Sequence, residues 1–345
     1  MNNFDEYIRQ GEPNKAEKAK VWKTAIGLQE VDGLKPSNYL IKTAKQNIEG
    51  DISIEEVKHL IDSYYKQGSA KIKETRTEEA DKVSARIAEI LSEQTFSFSP
   101  AEYLIIHRRL FQGIFSNAGK IRDYNITKKE WVLNGETVLY ASAESLKDTL
   151  EYDFEQEKKF SYKGLNKEEI IEHLAYFISN LWQIHIFGEG NTRTTAIFLI
   201  KYLRKLGFKD VNNDLFEKKS WYFRNALVRA NYEDLSNGIH KSEKFLINFL
   251  SNLLLSEKHS LKNREMHIQF SETVNVQNDT VKSDNDTVND TVLDLIIQNS
   301  KITASEISER LKISLSTAKR RIKGLKDNGK IIREGSDKTG SWKII

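Results

Sequence analysis

The chain has 345 residues, enough for a sizeable core and more than one domain, and no apolar run long enough to span a bilayer, the most apolar stretch being 245–255. Charged residues make up 30% and hydrophobic ones 39%, an ordinary soluble balance, and the net charge of +3 by itself names no partner. The lack of cysteine excludes disulfides and thiolate metal sites.

The opening Met1-Asn2-Asn3-Phe4-Asp5-Glu6 has no basic stretch followed by an apolar run. We read no secretory leader there and expect a cytoplasmic protein with no membrane partner. Only three prolines, with plentiful Lys, Glu, Leu and Ile, favour helix. A first clear helical face comes from Leu40, Ile41, Ala44 and Ile48, in a segment running from Ser37 to Glu49-Gly50. A carboxylate at a helix C-terminus is disfavoured by the dipole, so the placement of Glu49 invites a reason. Ser53 with Glu56 three residues on reads as the capping box of the next helix.

From Glu130 to Tyr140 the pattern changes. Two β-prone runs, Trp131-Val132-Leu133 and Thr137-Val138-Leu139, flank Asn134-Gly135, whose residues tolerate positive φ. That predicts a β-hairpin. Lys120 and Arg122 precede it and either border a cleft or are solvated surface charges, the second reading being favoured for Lys120.

Helical spacing returns with Ile170, Leu174, Phe177, Ile178 and Leu181. Asn166 with Glu169 supplies a capping box, so this helix starts near Asn166 and delivers His185 at its C-terminal end. A second helix, from about Thr192 to Leu206, is apolar around nearly its whole circumference, which predicts a central buried helix ended by Gly207. Between them lies His185-Ile186-Phe187-Gly188-Glu189-Gly190-Asn191-Thr192-Arg193.

This nonapeptide combines groups that phosphate-transfer chemistry needs. The loop from Gly188 opens a helix, so several backbone N–H groups lack intrahelical partners, and the dipole favours an anion. Asn191 can donate hydrogen bonds and Arg193 can fork onto phosphate oxygens. Glu189 beside an anion calls for a divalent cation, and Mg²⁺ takes one or two carboxylates plus substrate phosphates. His185, neutral near physiological pH, can take a proton from an attacking hydroxyl. A lone helix-end His is more often a cap or a core residue, and Gly-Glu-Gly is usually just a turn. The conjunction at this spacing points to function.

His185 to Arg193 resembles the core motif of the Fic (filamentation induced by cAMP) family, His-x-Phe-x-Glu/Asp-Gly-Asn-Gly/Lys-Arg. His185, Phe187, Glu189, Gly190, Asn191 and Arg193 fall in register, with Thr192 at the Gly/Lys position. The resemblance extends more faintly over roughly Trp22 to Leu255. It implies a mainly α Fic-type domain with a small β-hairpin flap. It also implies a protein adenylyltransferase that moves AMP from ATP, with Mg²⁺, to a Tyr, Ser or Thr hydroxyl of a target protein, the chain itself included. By motif position His185 is the general base, Glu189 holds Mg²⁺, and Phe187 anchors the loop. Gly188, Gly190, Asn191, Thr192 and Arg193 face the nucleotide. Tyr222 and Asn231 are candidates for an adenine pocket. The hairpin becomes the flap that docks the target by strand pairing through Trp131, Val132, Leu133, Thr137, Val138 and Leu139.

Many family members carry a second arginine where this chain has Ala196. Arg224 and Arg229 are candidates to replace its γ-phosphate contact, although helix-surface roles fit them as well. The 37–50 segment resembles the family's inhibitory helix, Ser/Thr-x-x-x-Glu-Gly/Asn, in which the Glu blocks the γ-phosphate seat. Glu49 takes that place here, although Lys45 replaces the Ser/Thr. In some relatives the same Glu supports removal of AMP.

Between about Ser271 and Val292 the chain turns polar, and Asn-Asp-Thr-Val occurs at 278–281, 285–288 and 289–292. We read a flexible linker. Beyond it come a short helix over 292–297, a capping box at Thr303–Glu306, a third helix from Ser314 with Ala318, Ile322 and Leu325 inward, and a hairpin wing from Lys330 to the end. From Leu293 onward there are 12 Lys/Arg against 6 Asp/Glu. The order resembles a winged helix-turn-helix, with Ser316, Thr317, Lys319, Arg320 and Lys323 facing DNA.

The expected domains are 1–110, holding the inhibitory helix, the Fic core 111–258, the linker 259–291 and the winged helix-turn-helix 292–345. Three functions compete. The first is a Fic-type adenylyltransferase. The second is a DNA-binding regulator whose Fic-like domain senses nucleotide or is inactive. The third is a phosphotransferase, which Gly190 disfavours. A homodimer is left open.

Overall fold

The computed structural model describes residues 4–67, 76–208, 214–270, 290–310, 315–327, 331–334 and 340–344. The chain divides into two compact units, Met1–Phe270 and Ser271–Ile345. The repeated segment 271–289, expected as a linker, lies outside the described residues.

The α-helices of unit 1 are α1 (Asp5–Gln10), α2 (Pro13–Gly27), α3 (Asn38–Glu49), α4 (Ile54–Gln67), α5 (Thr77–Ser92), α6 (Pro100–Phe111), α7 (Leu146–Lys159), α8 (Lys167–Ile184), α9 (Asn191–Lys205), α10 (Asp214–Ala230) and α11 (Lys244–Leu255). Local chemistry sets the ends as expected. Ser37 caps α3, and Gly50 closes it at φ +92°. The Ser53–Glu56 box is made, with bonds of 2.7 and 3.1 Å. Asn166 and Glu169 complete the box of α8 at 2.8 Å each.

The apolar circumference of α9 has its predicted consequence. Every residue from Asn191 to Leu203 is buried, with α5, α6, α8 and the turn Leu28–Asp32 packed around it. Phe198 sits in an aromatic cluster with Phe96, Phe98, Tyr103 and Phe154. Aromatic burial of this kind contributes about 1.5–3 kcal/mol per side chain.

Residues 259–270, included in the expected linker 259–291, belong to unit 1. Leu261 and Met266 are buried in its core, Asn263–Met266 form a 3₁₀ turn, and Ile268 N–H donates to the Val132 carbonyl at 2.9 Å. A few apolar side chains at irregular spacing hold this strap, which no helical or strand period reveals.

The expected hairpin folds differently. Asn134 and Gly135 take positive φ, +54° and +92°, but Trp131–Leu133 is a 3₁₀ turn, and no strand flanks it. Glu130 N–H still reaches the Glu136 carbonyl at 2.9 Å. Val132 and Leu133 are both fully buried, and a strand cannot send consecutive side chains into one core.

Unit 2 comprises α12 (Asp290–Gln298), α13 (Ala304–Arg310), α14 (Leu315–Asp327) and the antiparallel pair β1 (Ile331–Glu334) and β2 (Ser341–Ile344), with Ile331 opposite Ile344. Its core holds Val292, Ile296, Ile302, Ile307, Ala318, Ile322, Leu325 and Ile331. The Thr303–Glu306 box is formed, and Arg333 lies over the Trp342 ring at 4.6 Å. Among the described residues no helix is long and apolar enough to cross a membrane.

Candidate active site

Helix α8 ends at His185, which adopts the left-handed conformation at φ +49°. A β-carbon makes that conformation costly, by roughly 1–2 kcal/mol, so the surroundings must hold it. The ring is buried against Tyr140, at 4.2 Å between centroids, and edge-on to Trp182. Its Nδ1 lies 3.3 Å from the Trp182 carbonyl. A carbonyl only accepts, so the proton sits on Nδ1 and Nε2 keeps its lone pair. Burial holds the imidazole well below its ordinary pKa of 6.5, and the charge of Lys128 adds to that.

Arg122 braces this corner. It is buried, its Nε donates to the His185 carbonyl at 2.8 Å, and other donors reach the Tyr124, Ala141 and Ile184 carbonyls. A guanidinium at the C-terminus of α8 satisfies carbonyls the helix leaves open.

The next turn carries the loop. Gly188, Glu189 and Gly190 are at least partly exposed, and among the described residues no acceptor meets the backbone N–H groups of 188–193. The carbonyls are tethered instead. Asn191 Nδ2 donates to the Phe187 carbonyl at 2.7 Å, and its Oδ1 accepts from Phe187 N–H at 3.1 Å. Thr194 N–H and Oγ1 reach the Gly190 carbonyl at 3.1 and 3.0 Å. His107 Nε2 lies 3.0 Å from the Glu189 carbonyl. With carbonyls held inward, the loop offers its amides outward at the start of α9, the arrangement that receives anions.

Gly190 is required by its backbone conformation. Gly190 has φ +74°, and a β-carbon there would sit 2.4 Å from Phe111. At Gly188 it would sit 2.4 Å from the Tyr124 hydroxyl. Phe187 is fully buried against His107, with ring centroids 3.6 Å apart. Glu189 is exposed. A single open carboxylate beside unpaired amides fits Mg²⁺, which brings waters and substrate phosphates to complete its shell.

Several expected ligands are engaged in the protein. Asn191 staples the loop, and Thr192 Oγ1 accepts from the Trp182 indole at 2.9 Å. Arg193 is fully buried over the Phe111 ring, bound to Gln29 (3.0 Å), Glu79 (2.7 Å) and Asp32 (2.8 Å), and Nε is left without a partner. It ties α9 to α5 and to the Leu28–Asp32 turn.

The carboxylates on Arg193 are therefore Asp32 and Glu79. Glu49 instead lies 2.9 Å from Lys15 in a half-exposed ion pair, and Lys15 and Tyr7 hold it below the usual carboxylate range. Tyr222 is buried beside Phe249 and its hydroxyl has no partner, while Asn231 donates to the Ser179 and Leu227 carbonyls. Both belong to the packing of α10, not to an open adenine pocket. Arg224 pairs with Glu130 at 2.6 Å beside the Trp221 ring, and Arg229 is buried.

In the flap the side chains of Val132, Leu133 and Val138 are buried in the core. Trp131 is 39% exposed and Leu139 is 84% exposed, and Thr137 Oγ1 accepts from Lys128 N–H. Gln183 on α8 donates to the Leu139 carbonyl, and Tyr140 carries the contact on to His185. In unit 2 Lys319 and Lys323 are exposed, and the side chains of Ser316, Thr317 and Arg320 lie outside the described residues. Sequence reasoning missed His107, Asp32 and Glu79, which reach the motif only through tertiary contact. The one local hint was a histidine among apolar residues in Tyr103–Phe111.

Residues 97–203 match the Fic/DOC family model, and residues 291–332 match that of the winged helix-turn-helix DNA-binding family. The chain thus carries a Fic domain and, after it, a winged helix-turn-helix. It is 27% identical over 156 residues to the protein adenylyltransferase VbhT of Bartonella schoenbuchensis, covering 39% of this chain and 31% of that protein. It is 26% identical over 153 residues to the probable protein adenylyltransferase y4lH of Sinorhizobium fredii, covering 44% of this chain and 74% of that one. The chain thus spans less than a third of the first relative's length. A Fic family protein of Desulfovibrio desulfuricans G20 aligns over 98% of this chain and 90% of its own, at 12% identity and a TM-score of 0.45, too distant to carry an argument.

Proposed function

We propose that this chain is a protein adenylyltransferase, moving AMP from ATP to a Tyr, Ser or Thr hydroxyl of a target protein. The observation that carries the reading is the pairing of a desolvated, Nδ1-protonated His185 with the outward amides that open α9. A base with a free Nε2 beside an anion cradle suits attack of a hydroxyl on a held phosphorus.

In the step we propose, the target oxygen attacks the α-phosphorus and its proton passes to His185 Nε2. The new O–P bond forms as the α–β bridging bond breaks, and pyrophosphate leaves. The amides of 188–193 hold the phosphates. Glu189 would hold Mg²⁺, which when bound would neutralise phosphate charge. Arg193 orients α9 from behind, so the burden of phosphate binding falls on the backbone. Trp131 and Leu139 are the flap side chains exposed to meet a target. The relatives named as adenylyltransferases support the same class.

The winged helix-turn-helix match favours DNA binding by unit 2 alongside this activity. For regulation, Glu49 in its pair with Lys15 has no contact with the motif, and the carboxylates at Arg193 are better placed to bias it.

The test uses ATP labelled at the α- or γ-phosphate, Mg²⁺ and cell lysate. Labelling from the α-phosphate that His185→Ala abolishes is the expected result. Labelling from γ only would mean a phosphotransferase, and equal labelling by His185→Ala would remove His185 as the base.

A further inference from the structure

His107 lies outside the motif, on α6, and is buried. Its Nδ1 accepts the Gly119 N–H at 2.8 Å. An imidazole nitrogen that accepts carries no proton, so the proton is on Nε2, which donates to the Glu189 carbonyl at 3.0 Å. The ring lies flat on Phe187, 12° from parallel. Both nitrogens and one face are thus committed to the nucleotide loop and to the segment that carries Arg122.

The peptide unit joining Glu189 to Gly190 has its C=O and N–H on opposite sides. Holding the carbonyl inward holds the Gly190 N–H outward. This peptide can flip, because Gly190 accepts both signs of φ and the Glu189 side chain is exposed. A flipped peptide would turn a carbonyl oxygen toward the phosphates and remove one donor.

We propose that His107 is a positioning residue for nucleotide binding: its Nε2–H pins the Glu189–Gly190 peptide so that the Gly190 amide faces the phosphate. The proposal takes its ligand, an adenosine triphosphate, from the adenylyltransferase reading. Its geometry stands apart from that reading.

The experiment compares full-length His107→Phe, His107→Gln and His107→Asn with the wild type. Phe keeps the stacked ring and loses both hydrogen bonds. Gln places an amide N–H near the Nε2 position, and Asn is too short to do so. Mg²⁺–ATP affinity is measured by calorimetry, steady-state transfer by KM and kcat, and loop order by amide hydrogen exchange over 187–193. Phe and Asn should weaken ATP binding about tenfold, the worth of one well-placed donor, with the loss in KM more than in kcat and faster exchange in the loop. Gln should stay within about threefold. If Phe does not fold, the contrast between Gln and Asn decides. Equal affinity and equal loop exchange across the variants would overturn the proposal. A wild type that neither binds nor transfers nucleotide would sink the adenylyltransferase reading, and the exchange data would still decide whether His107 pins the loop.

Discussion

Replacing Arg193 with methionine removes the guanidinium that joins α9 to α5 and to the Leu28–Asp32 turn. Arg193 is wholly buried, so the loss is felt by its partners. Asp32 is 32% exposed and recovers water, and Glu79, at 8%, keeps its 2.6 Å pair with Arg76. The cost is then set by one buried Glu79 oxygen and by Gln29, and it falls below that of a fully orphaned charge. We expect about 2–4 kcal/mol. For a unit of this size each kcal/mol lowers the unfolding midpoint by about 2–4 °C, giving roughly 4–16 °C in all. Calorimetry of the wild type, Arg193→Met, Glu79→Leu and the double variant measures it. The double variant should be more stable than the sum of the singles, because no buried carboxylate is stranded. An Arg193→Met midpoint within about 2 °C of wild type, or strict additivity, would refute the clamp.

Gly190→Ala should destabilise by about 2–4 kcal/mol, from a left-handed alanine and a 2.4 Å approach to Phe111; denaturant unfolding reads it, and wild-type stability would contradict the loop geometry. Burial keeps the folded pKa of His185 well below its ordinary value of 6.5, so its contribution to stability is full above pH 6.5 and is lost as pH falls below it. Urea unfolding between about pH 5 and 7.5 should therefore show a steeper acid loss in wild type than in His185→Gln, and parallel curves would argue against a buried neutral ring. If unit 2 binds DNA, Lys319→Ala with Lys323→Ala should lower the slope of log affinity against log salt by about 2; an unchanged slope would mean that neither lysine meets a phosphate.

Much of this architecture is written locally. Asn166 and Glu169 start α8, the apolar circumference of α9 marks it as central, and the motif between them places a histidine beside a helix N-terminus. These features depend on residues three or four apart, and their physics is that of a single turn or helix. The same holds for the capping box at Thr303 and the inward stripe of α14. Asn134 and Gly135 likewise predict their own positive φ.

What lies across the chain was not legible. Trp131–Leu133 looks like a strand, but the core beneath takes both Val132 and Leu133, and burial overrides β propensity. The 259–270 strap looks polar and is held by Leu261 and Met266 at irregular spacing. Glu49 sits at the end of the helix that resembles an inhibitory one, yet Lys15 takes its carboxylate, while Glu79 and Asp32 reach Arg193. Sequence alone determined which residues can bind an anion or accept a proton, because that is a property of each side chain. Only the tertiary structure decided which of them are still unoccupied, because a hydrogen-bonding group spent on a buried partner is no longer available to a ligand.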